Sequence, residues 1–155
     1  MPALQLSDAI ADEAAEACRR VRRRLDALGV VGELLLTGGA SVPGALTKGD
    51  IDLHLRVPPD GFDRVVELVR TVYRPGSLSA WAVTLAVFDV PGPRATGLAV
   101  TPAGSEHDVR FRRSWGLIQA HPELLDEYNQ LKRASFGDPS YEDRKSEFFS
   151  RIVQR

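Results

Sequence analysis

The segment Leu34–Val57, LLLTGGASVPGALTKGDIDLHLRV, constrains the fold of this chain more than any other stretch. Its three leucines run into Thr-Gly-Gly, which predicts a buried strand that ends in a tight turn at Gly38 and Gly39, because glycine tolerates positive φ. Ser41 and Pro43 then predict a short helix, with the serine as its cap and the proline near its first position. The backbone amides of this turn would face an anion such as a phosphate.

A second strand is predicted after this turn, because polar and apolar residues alternate strictly from Asp50 onwards. The apolar positions are Ile51, Leu53, Leu55 and Val57, and the polar positions are Asp50, Asp52, His54 and Arg56. Asp50 and Asp52 project side by side, and their mutual repulsion must be relieved by a cation or a proton. Mg²⁺ (or Mn²⁺) prefers one or two carboxylates together with phosphate oxygens. The segment therefore predicts a phosphate and metal site with these two aspartates as its metal ligands.

This arrangement resembles the nucleotidyltransferase superfamily, whose pattern is a hydrophobic residue, Gly, then Gly or Ser, and about ten residues later Asp-hydrophobic-Asp-hydrophobic on a strand. Within that superfamily, GGASVPGALTKGDIDL resembles the signature of the GrpB (UPF0157) family, which reads close to GSTSVPGLAAKPIIDI. The shared residues are Gly38, Ser41, Val42, Pro43, Gly44, Lys48, Ile51 and Asp52. The resemblance implies a single α/β (α+β) domain, with a mixed sheet of four or five strands flanked by helices and a C-terminal helical segment. It also implies a nucleotide contact from Gly38, Gly39, Ser41 and Lys48.

Two assignments of the metal pair stay open. A gap-free alignment with the family signature places the leading aspartate on Asp52 and the second acidic position on His54, whereas the superfamily spacing pairs Asp50 with Asp52. We favour Asp50, because two anionic oxygens suit a hard cation better than a carboxylate and an imidazole. His54 then lies beside the site. The simpler alternative is that both aspartates lie on a solvated face of an ordinary strand.

Asp89 is predicted as a third catalytic carboxylate and metal ligand, since Val-Phe-Asp-Val is the setting in which the superfamily carries one. The competing interpretation is an aspartate at a strand end that prepares the following turn. The family usually has a His-x-His-like feature on the strand that corresponds to 97–101. Here Leu98, Ala99 and Val100 occupy that strand, which departs from the family pattern.

The C-terminal third also resembles the family, whose run reads FRDYLRAHPE…EYxxLKR…Y…K..F. Triphosphate contacts are predicted from Lys132 and Lys145, with Arg112 as a further basic candidate, because a transferred phosphoryl group needs cations around its charge. Lys145 is favoured, since it lies between Tyr141 and Phe148. The family's acid after Phe-Arg is replaced by arginine at position 113.

The remaining elements follow from apolar periodicity and from turn residues. The predicted helices are Ser7–Leu28 and Phe62–Tyr73, and further helices are expected to start at Pro122 and Pro139. The predicted strands are Val30–Leu36, Trp81–Val90 and Ala95–Thr101, with a loop at Arg74–Ala80 and a hairpin connection at Pro91–Arg94.

Composition limits the partners. The 155 residues carry 20 basic and 21 acidic side chains, so the formal charge of −1 predicts no general attraction to nucleic acid or to an anionic membrane. A single cysteine excludes an intrachain disulfide. No stretch approaches the ~20 apolar residues of a spanning helix, so we expect a soluble, cytoplasmic protein that recognises its partners locally.

The resemblance implies Mg²⁺-dependent transfer of a nucleotidyl group from ATP or another nucleoside triphosphate to a small-molecule or protein acceptor. Two other hypotheses use the same site. One is an ATP-dependent acyl-activating or ligase reaction. The other is a nucleotide-binding module without turnover, which the departures at 97–101 and 113 make reasonable.

Overall fold

The computed structural model describes residues 3–154 and contains a five-stranded mixed sheet with helices on both faces. Its strands are β1 (Gln5–Leu6), β2 (Glu33–Thr37), β3 (Leu46–Thr47), β4 (Ile51–Val57), β5 (Arg74–Pro75), β6 (Ala86–Val90) and β7 (Thr96–Pro102). The main sheet has the order β2-β4-β7-β6-β5, and β1 pairs with β3 separately. β4 and β7 run parallel, whereas the other neighbours run antiparallel. The predicted α/β fold with a mixed sheet is therefore confirmed.

The described residues form five α-helices around this sheet. They are α1 (Ala11–Ala27), α2 (Phe62–Arg70), α3 (Glu106–Ala120), α4 (Pro122–Ser135) and α5 (Tyr141–Val153). The apolar face of β4 packs with α1 and α2 in the main core. A second apolar cluster joins α3, α4 and α5 to the turn at Val42 and Ala45. Within residues 3–154, no helix combines the length and the apolar character that crossing a membrane requires.

The first helix confirms its predicted apolar stripe but not its predicted start. Ala14, Val21 and Leu25 are fully buried, and Gly29, with φ of +73°, follows its end. The helix is preceded by a 3-10 turn at Ser7–Ile10. Ser7 does not cap it, because its hydroxyl donates to the Val42 carbonyl at 2.5 Å and so ties the chain start to the glycine-rich turn.

The short helix predicted after Gly38 is wrong in its position. A 3-10 turn covers Gly39–Ser41, so Ser41 ends it rather than caps a helix. The cause is local, since both the amide and the hydroxyl of Ser41 donate to the Gly38 carbonyl, at 3.1 and 2.7 Å. Asn129 of α4 then fixes the following turn by accepting from the Leu46 amide and donating to the Gly44 carbonyl.

The middle of the chain differs from the prediction at several ends. The segment predicted as a loop contains β5 and a 3-10 turn at Leu78–Ala80. Trp81 does not begin a strand, because its indole N–H donates to the Val87 carbonyl and holds it beside β6, which starts at Ala86. The hairpin connection between β6 and β7 is confirmed. α2 ends at Arg70, α4 begins at Pro122 as predicted, and α5 begins two residues after Pro139.

Candidate functional site

The turn between β2 and β4 allows close contact between backbone and carboxylate. Gly38 has φ of +69°, and a Cβ atom built on it would lie 2.5 Å from Oδ2 of Asp52. An alanine would therefore need both an unfavourable backbone conformation and a displaced aspartate. Glycine at this position is what lets the Asp52 carboxylate lie against the turn.

Gly38→Ala tests this contact, and Gly29→Ala is its matched control. Both glycines have φ near +70°, but a Cβ on Gly29 meets no atom within 4 Å. We expect each variant to lose about 1–2 kcal/mol of unfolding free energy from the backbone. Only Gly38→Ala should also lose Mg²⁺-linked nucleotide binding in calorimetry, because only that change moves Asp52. Equal loss of binding in both variants would contradict the role of the contact.

Two of the three predicted metal ligands, Asp50 and Asp52, line one cleft together with three lysines. This lysine cleft has a volume of about 380 Å³. Its charged lining residues are Asp50, Asp52, Asp138, Glu142, Lys48, Lys132 and Lys145. Asp50 lies immediately before β4, and Asp52 is its second residue. Lys132 comes from α4 and Lys145 from α5, so β4, the loop before it and two helices meet at the cleft.

Two tyrosine and lysine pairs build the helical wall of the lysine cleft. Tyr128 and Lys132 are four residues apart on α4, and Tyr141 and Lys145 have the same spacing on α5, so each pair shares one helix face. Lys132 Nζ donates to the Tyr128 hydroxyl at 2.9 Å and lies 6.0 Å from the centre of the Tyr141 ring. Lys145 Nζ lies 5.7 Å from that ring. The aromatic rings thus hold both ammonium groups towards the aspartates.

Charges in the lysine cleft perturb one another. Burial, followed by the charge of Asp50, raises the pKa of Asp52 to about 6. Burial, followed by the charge of Lys145, lowers the pKa of Lys132 to about 8. Like charges are therefore crowded on both sides of the cleft, which would favour a ligand that carries both a cation and phosphates.

The raised pKa of Asp52 predicts a pH-dependent effect of Asp52→Asn. Folding raises the pKa of this carboxyl, so the folded protein binds its proton more tightly than the unfolded chain does. The ionised Asp52 therefore destabilises the folded protein at neutral pH. This cost decreases as pH falls through about 6 and is absent below the unfolded pKa near 3.9. We expect the variant to be more stable than the wild type at pH 7.5, by on the order of 2 kcal/mol. The advantage should vanish near pH 4. Urea unfolding of both proteins at pH 7.5, 6 and 4 measures it, and an advantage independent of pH would contradict this account.

The donor set of the lysine cleft fits Mg²⁺ shared with a nucleotide. Asp50 and the half-buried Asp52 match the one or two carboxylates that Mg²⁺ takes besides substrate phosphates. Within residues 3–154, no group of three or more histidine, cysteine, aspartate or glutamate side chains is arranged to hold a metal. Asp50 and Asp52 would therefore hold the ion together with phosphate oxygens rather than in an all-protein cage.

His54 lies under α3 rather than in the lysine cleft. Its side chain is 1% exposed, and Nε2 lies 2.8 Å from the Thr101 hydroxyl and 3.8 Å from Asp108 Oδ1. Burial lowers the pKa of His54 to about 4, so the ring is neutral at pH 7. The Phe111 ring packs edge-on against it at 5.3 Å.

Asp108 organises the polar contacts around His54, and one of its partners is the predicted phosphate ligand Arg112. Its Oδ1 accepts from Arg56 Nε at 2.7 Å and from Arg112 Nε at 3.1 Å, and its Oδ2 accepts from the Gly104 amide at 2.8 Å. Burial raises the pKa of Asp108, but these hydrogen bonds outweigh it and lower the pKa to about 2. Arg112 is therefore engaged with a carboxylate and does not line the lysine cleft.

The other predicted residues are divided among different surfaces. Gly39 lines the lysine cleft. Ser41 lines a separate groove of about 690 Å³ between α1 and β2, and neither Asp50 nor Asp52 lines it. Asp89 is exposed on β6. It lies opposite Gly97 of the neighbouring strand β7, and Gly97 lies opposite Asp52 of β4. Two strand spacings, about 10 Å, therefore separate the backbones of the two aspartates. The role of Asp89 as a third ligand stays a prediction.

Comparison with known proteins agrees with this fold. The model of the GrpB protein family matches residues 5–155. The chain belongs to the GrpB family. It is 28% identical over 121 residues to a UPF0157 protein of Vibrio cholerae serotype O1, a match that covers 75% of this chain and 63% of that relative. The crystal structure of the conserved protein GrpB from Enterococcus faecalis superposes with a TM-score of 0.67 at 14% identity, over 97% of this chain and 99% of that one.

A second space lies on the other side of Asp52 in this GrpB domain. This aromatic cavity has a volume of about 410 Å³ between the polar face of the sheet and helices α3 and α5. Phe111, Trp115 and Phe149 form its helical wall. The aromatic cavity and the lysine cleft share Asp52, Trp115, Glu142 and Lys145.

Several site residues of the GrpB domain were not predicted as such. Tyr128 and Tyr141 appear in the family run, and their spacing of four to a lysine was the available signal. Trp115 and Glu142 had no comparable signal. Asp108 also had none, because its partner Arg56 lies 52 residues earlier in the chain.

Proposed function

We propose that this protein transfers a nucleotidyl group from a nucleoside triphosphate to an acceptor in an Mg²⁺-dependent reaction. The observation that supports this most strongly is the placement of Asp50 and Asp52 opposite Lys48, Lys132 and Lys145 in one cleft. Two neighbouring carboxylates on one strand, opposite three ammonium groups, match a metal-bound triphosphate, whose charges have both signs.

Each group has a role in this proposal. The three lysines bind the triphosphate, and Lys132 is oriented for it by the Tyr128 hydroxyl. Asp50 and Asp52 hold the metal, and the Gly38 turn fixes the position of the Asp52 carboxylate. When bound, Mg²⁺ supplies charge neutralisation at the phosphates during an in-line displacement.

The bond changes are those of nucleotidyl transfer. An oxygen of the acceptor forms a bond to the α-phosphorus. The bond between that phosphorus and the oxygen that bridges it to the β-phosphorus breaks. Pyrophosphate leaves with the bonding electron pair, and the acceptor proton passes to solvent. Lys145 lines both the lysine cleft and the aromatic cavity, and in this proposal its ammonium group balances charge beside the reacting phosphate.

A nucleotide-binding role without turnover is the second candidate, and the position of Asp89 favours it. The third carboxylate that the superfamily resemblance implies lies outside the lining of the lysine cleft. Asp138 and Glu142 also line the cleft, but neither lies on the strand from which the superfamily resemblance expects a third acid to accept a proton.

The deciding experiment incubates the protein with Mg²⁺ and each of ATP, GTP, CTP and UTP over a panel of small-molecule and protein acceptors. Pyrophosphate release and product mass are recorded, with Asp50→Asn as the control. Pyrophosphate together with an acceptor that gains one nucleotidyl group supports the proposal, whereas an acyl-adenylate identifies a ligase-type reaction. Nucleotide binding without pyrophosphate release supports the binding module. Release of phosphate instead of pyrophosphate contradicts nucleotidyl transfer.

A further inference from the structure

We propose that the aromatic cavity binds a small organic anion, with an aromatic or branched aliphatic body and one carboxylate, as the acceptor of the transfer. Its role as acceptor rests on the proposed function, whereas the binding site itself stands on the geometry of the cavity. Its volume of about 410 Å³ lies in the range of small-molecule sites.

The cavity is open because the strand that forms its floor carries very small residues. Gly97 and Ala99 of β7 lie in its lining, together with Val87 of β6. A Cβ built on Gly97 would lie 3.7 Å from Asp52 Oδ1, which is ordinary contact, so steric crowding does not impose glycine there. The space above this strand is therefore available to a ligand.

The walls select an apolar and preferably flat body. Phe111 and Trp115 from α3 and Phe149 from α5 face the small residues of the sheet. Trp115 packs 5.0 Å from Phe149, centre to centre, so these rings are mutually supported rather than free to collapse into the space. Rings fixed in this way stack on a planar ligand at low entropic cost.

Arg110 supplies the charge that selects an anion. Its side chain forms no ion pair or hydrogen bond with any described residue, and it lines the aromatic cavity but not the lysine cleft. Arg110 precedes Trp115 by five residues on α3, which is about 7.5 Å along the helix axis. A carboxylate at Arg110 would thus lie at the end of the cavity away from the boundary with the lysine cleft.

The opposite end of such a ligand would reach the metal site. Asp52 and Lys145 line both spaces, so a nucleophilic group at that end would meet the phosphate from the side opposite the lysine cleft. Glu142 also lines both spaces and would repel a carboxylate there. The charges at the two ends therefore orient the ligand with its carboxylate towards Arg110.

The test uses three probes of one shape and different charge: 3-(4-hydroxyphenyl)propionate, the neutral tyrosol and the cationic tyramine. Binding is measured by ligand-observed NMR and calorimetry in the absence of nucleotide. We expect the propionate to bind about tenfold more tightly than tyrosol, the scale of one hydrogen-bonded charge. Arg110→Gln should remove that preference. Arg113→Gln removes the same charge from the same helix at a position outside the cavity lining. This control variant should keep the preference for the propionate.

Two cavity variants separate this site from the nucleotide site. Ala99→Phe fills the aromatic cavity and should abolish binding of the propionate while Mg²⁺-linked nucleotide binding persists. Lys132 lines the lysine cleft but not the aromatic cavity. Lys132→Met should therefore weaken Mg²⁺-linked nucleotide binding while binding of the propionate persists. Probe binding without any nucleotide binding would refute the proposed function and leave this site standing. Absence of probe binding at the highest soluble concentration, no preference for the anion, or unchanged binding in a folded Ala99→Phe protein would overturn the inference.

Discussion

Replacing Asp50 with alanine is expected to reduce turnover by about 10³-fold, the scale of removing one group that stabilises transition-state charge. Asp52→Ala should be equally severe, because both carboxylates line the lysine cleft and a shared metal tolerates the loss of neither. The measurement is the rate of pyrophosphate release with the nucleotide that the wild type uses. Circular dichroism of each variant checks that the fold is retained.

His54→Gln is the informative comparison for these two variants. The gap-free family alignment pairs Asp52 with position 54, but the His54 ring is buried against Thr101 and Phe111 outside the lysine cleft. We expect the variant to lose stability while the folded protein keeps most of its turnover. If Asp50→Ala released pyrophosphate at the wild-type rate and a folded His54→Gln variant released none, the assignment of the metal pair would be wrong.

The largest loss of stability is expected from Asp108→Ala, at about 3–5 kcal/mol of unfolding free energy. The Asp108 side chain is 0% exposed and accepts hydrogen bonds from two guanidinium groups and one amide. Its removal leaves Arg56, whose side chain is 21% exposed, without its buried partner. Urea unfolding followed by circular dichroism at pH 7.5 gives the value.

Glu33→Gln and Arg112→Ala are matched controls for that loss. Glu33 pairs with the same Arg56 at 3.0 Å, but its side chain is 58% exposed. Such exposed pairs contribute about 0–1 kcal/mol. The Arg112 side chain is 44% exposed. Its replacement by alanine leaves Asp108 with its contacts to Arg56 and Gly104. A loss of unfolding free energy in Asp108→Ala no larger than in these controls would show that the buried carboxylate does not organise the polar face of β4.

Local patterns predicted the parts of the site that lie close together in sequence. The alternation after Lys48 located β4 and therefore the side-by-side aspartates, because side chains two residues apart on a strand share a face. The turn at Gly38 followed from its need for positive φ. Lys132 and Lys145 came from resemblance, and the structure brings both to the lysine cleft.

Contacts between distant segments set what the sequence could not predict. Alternation marks one face of β4 as polar but does not indicate what packs on it, and Asp108 of α3, 52 residues after Arg56, accepts a hydrogen bond from that arginine there. Asp89 has the expected motif, but the insertion of β7 between β4 and β6 sets its distance from Asp52. The aromatic cavity likewise depends on which helix crosses above Gly97 and Ala99, and strand periodicity carries no information on that.

The dependence of nucleoside triphosphate binding on Mg²⁺ tests the central claim most directly. Without the ion, ionised Asp50 and Asp52 repel the phosphates that the three lysines attract, so binding should be weak. Calorimetric titration of the wild-type protein at pH 7.5 should show affinity at least about tenfold higher with Mg²⁺ than with a chelator. Asp52→Asn should show little difference between the two conditions. Equal wild-type affinity with and without Mg²⁺ would contradict the assignment of these carboxylates as a metal site.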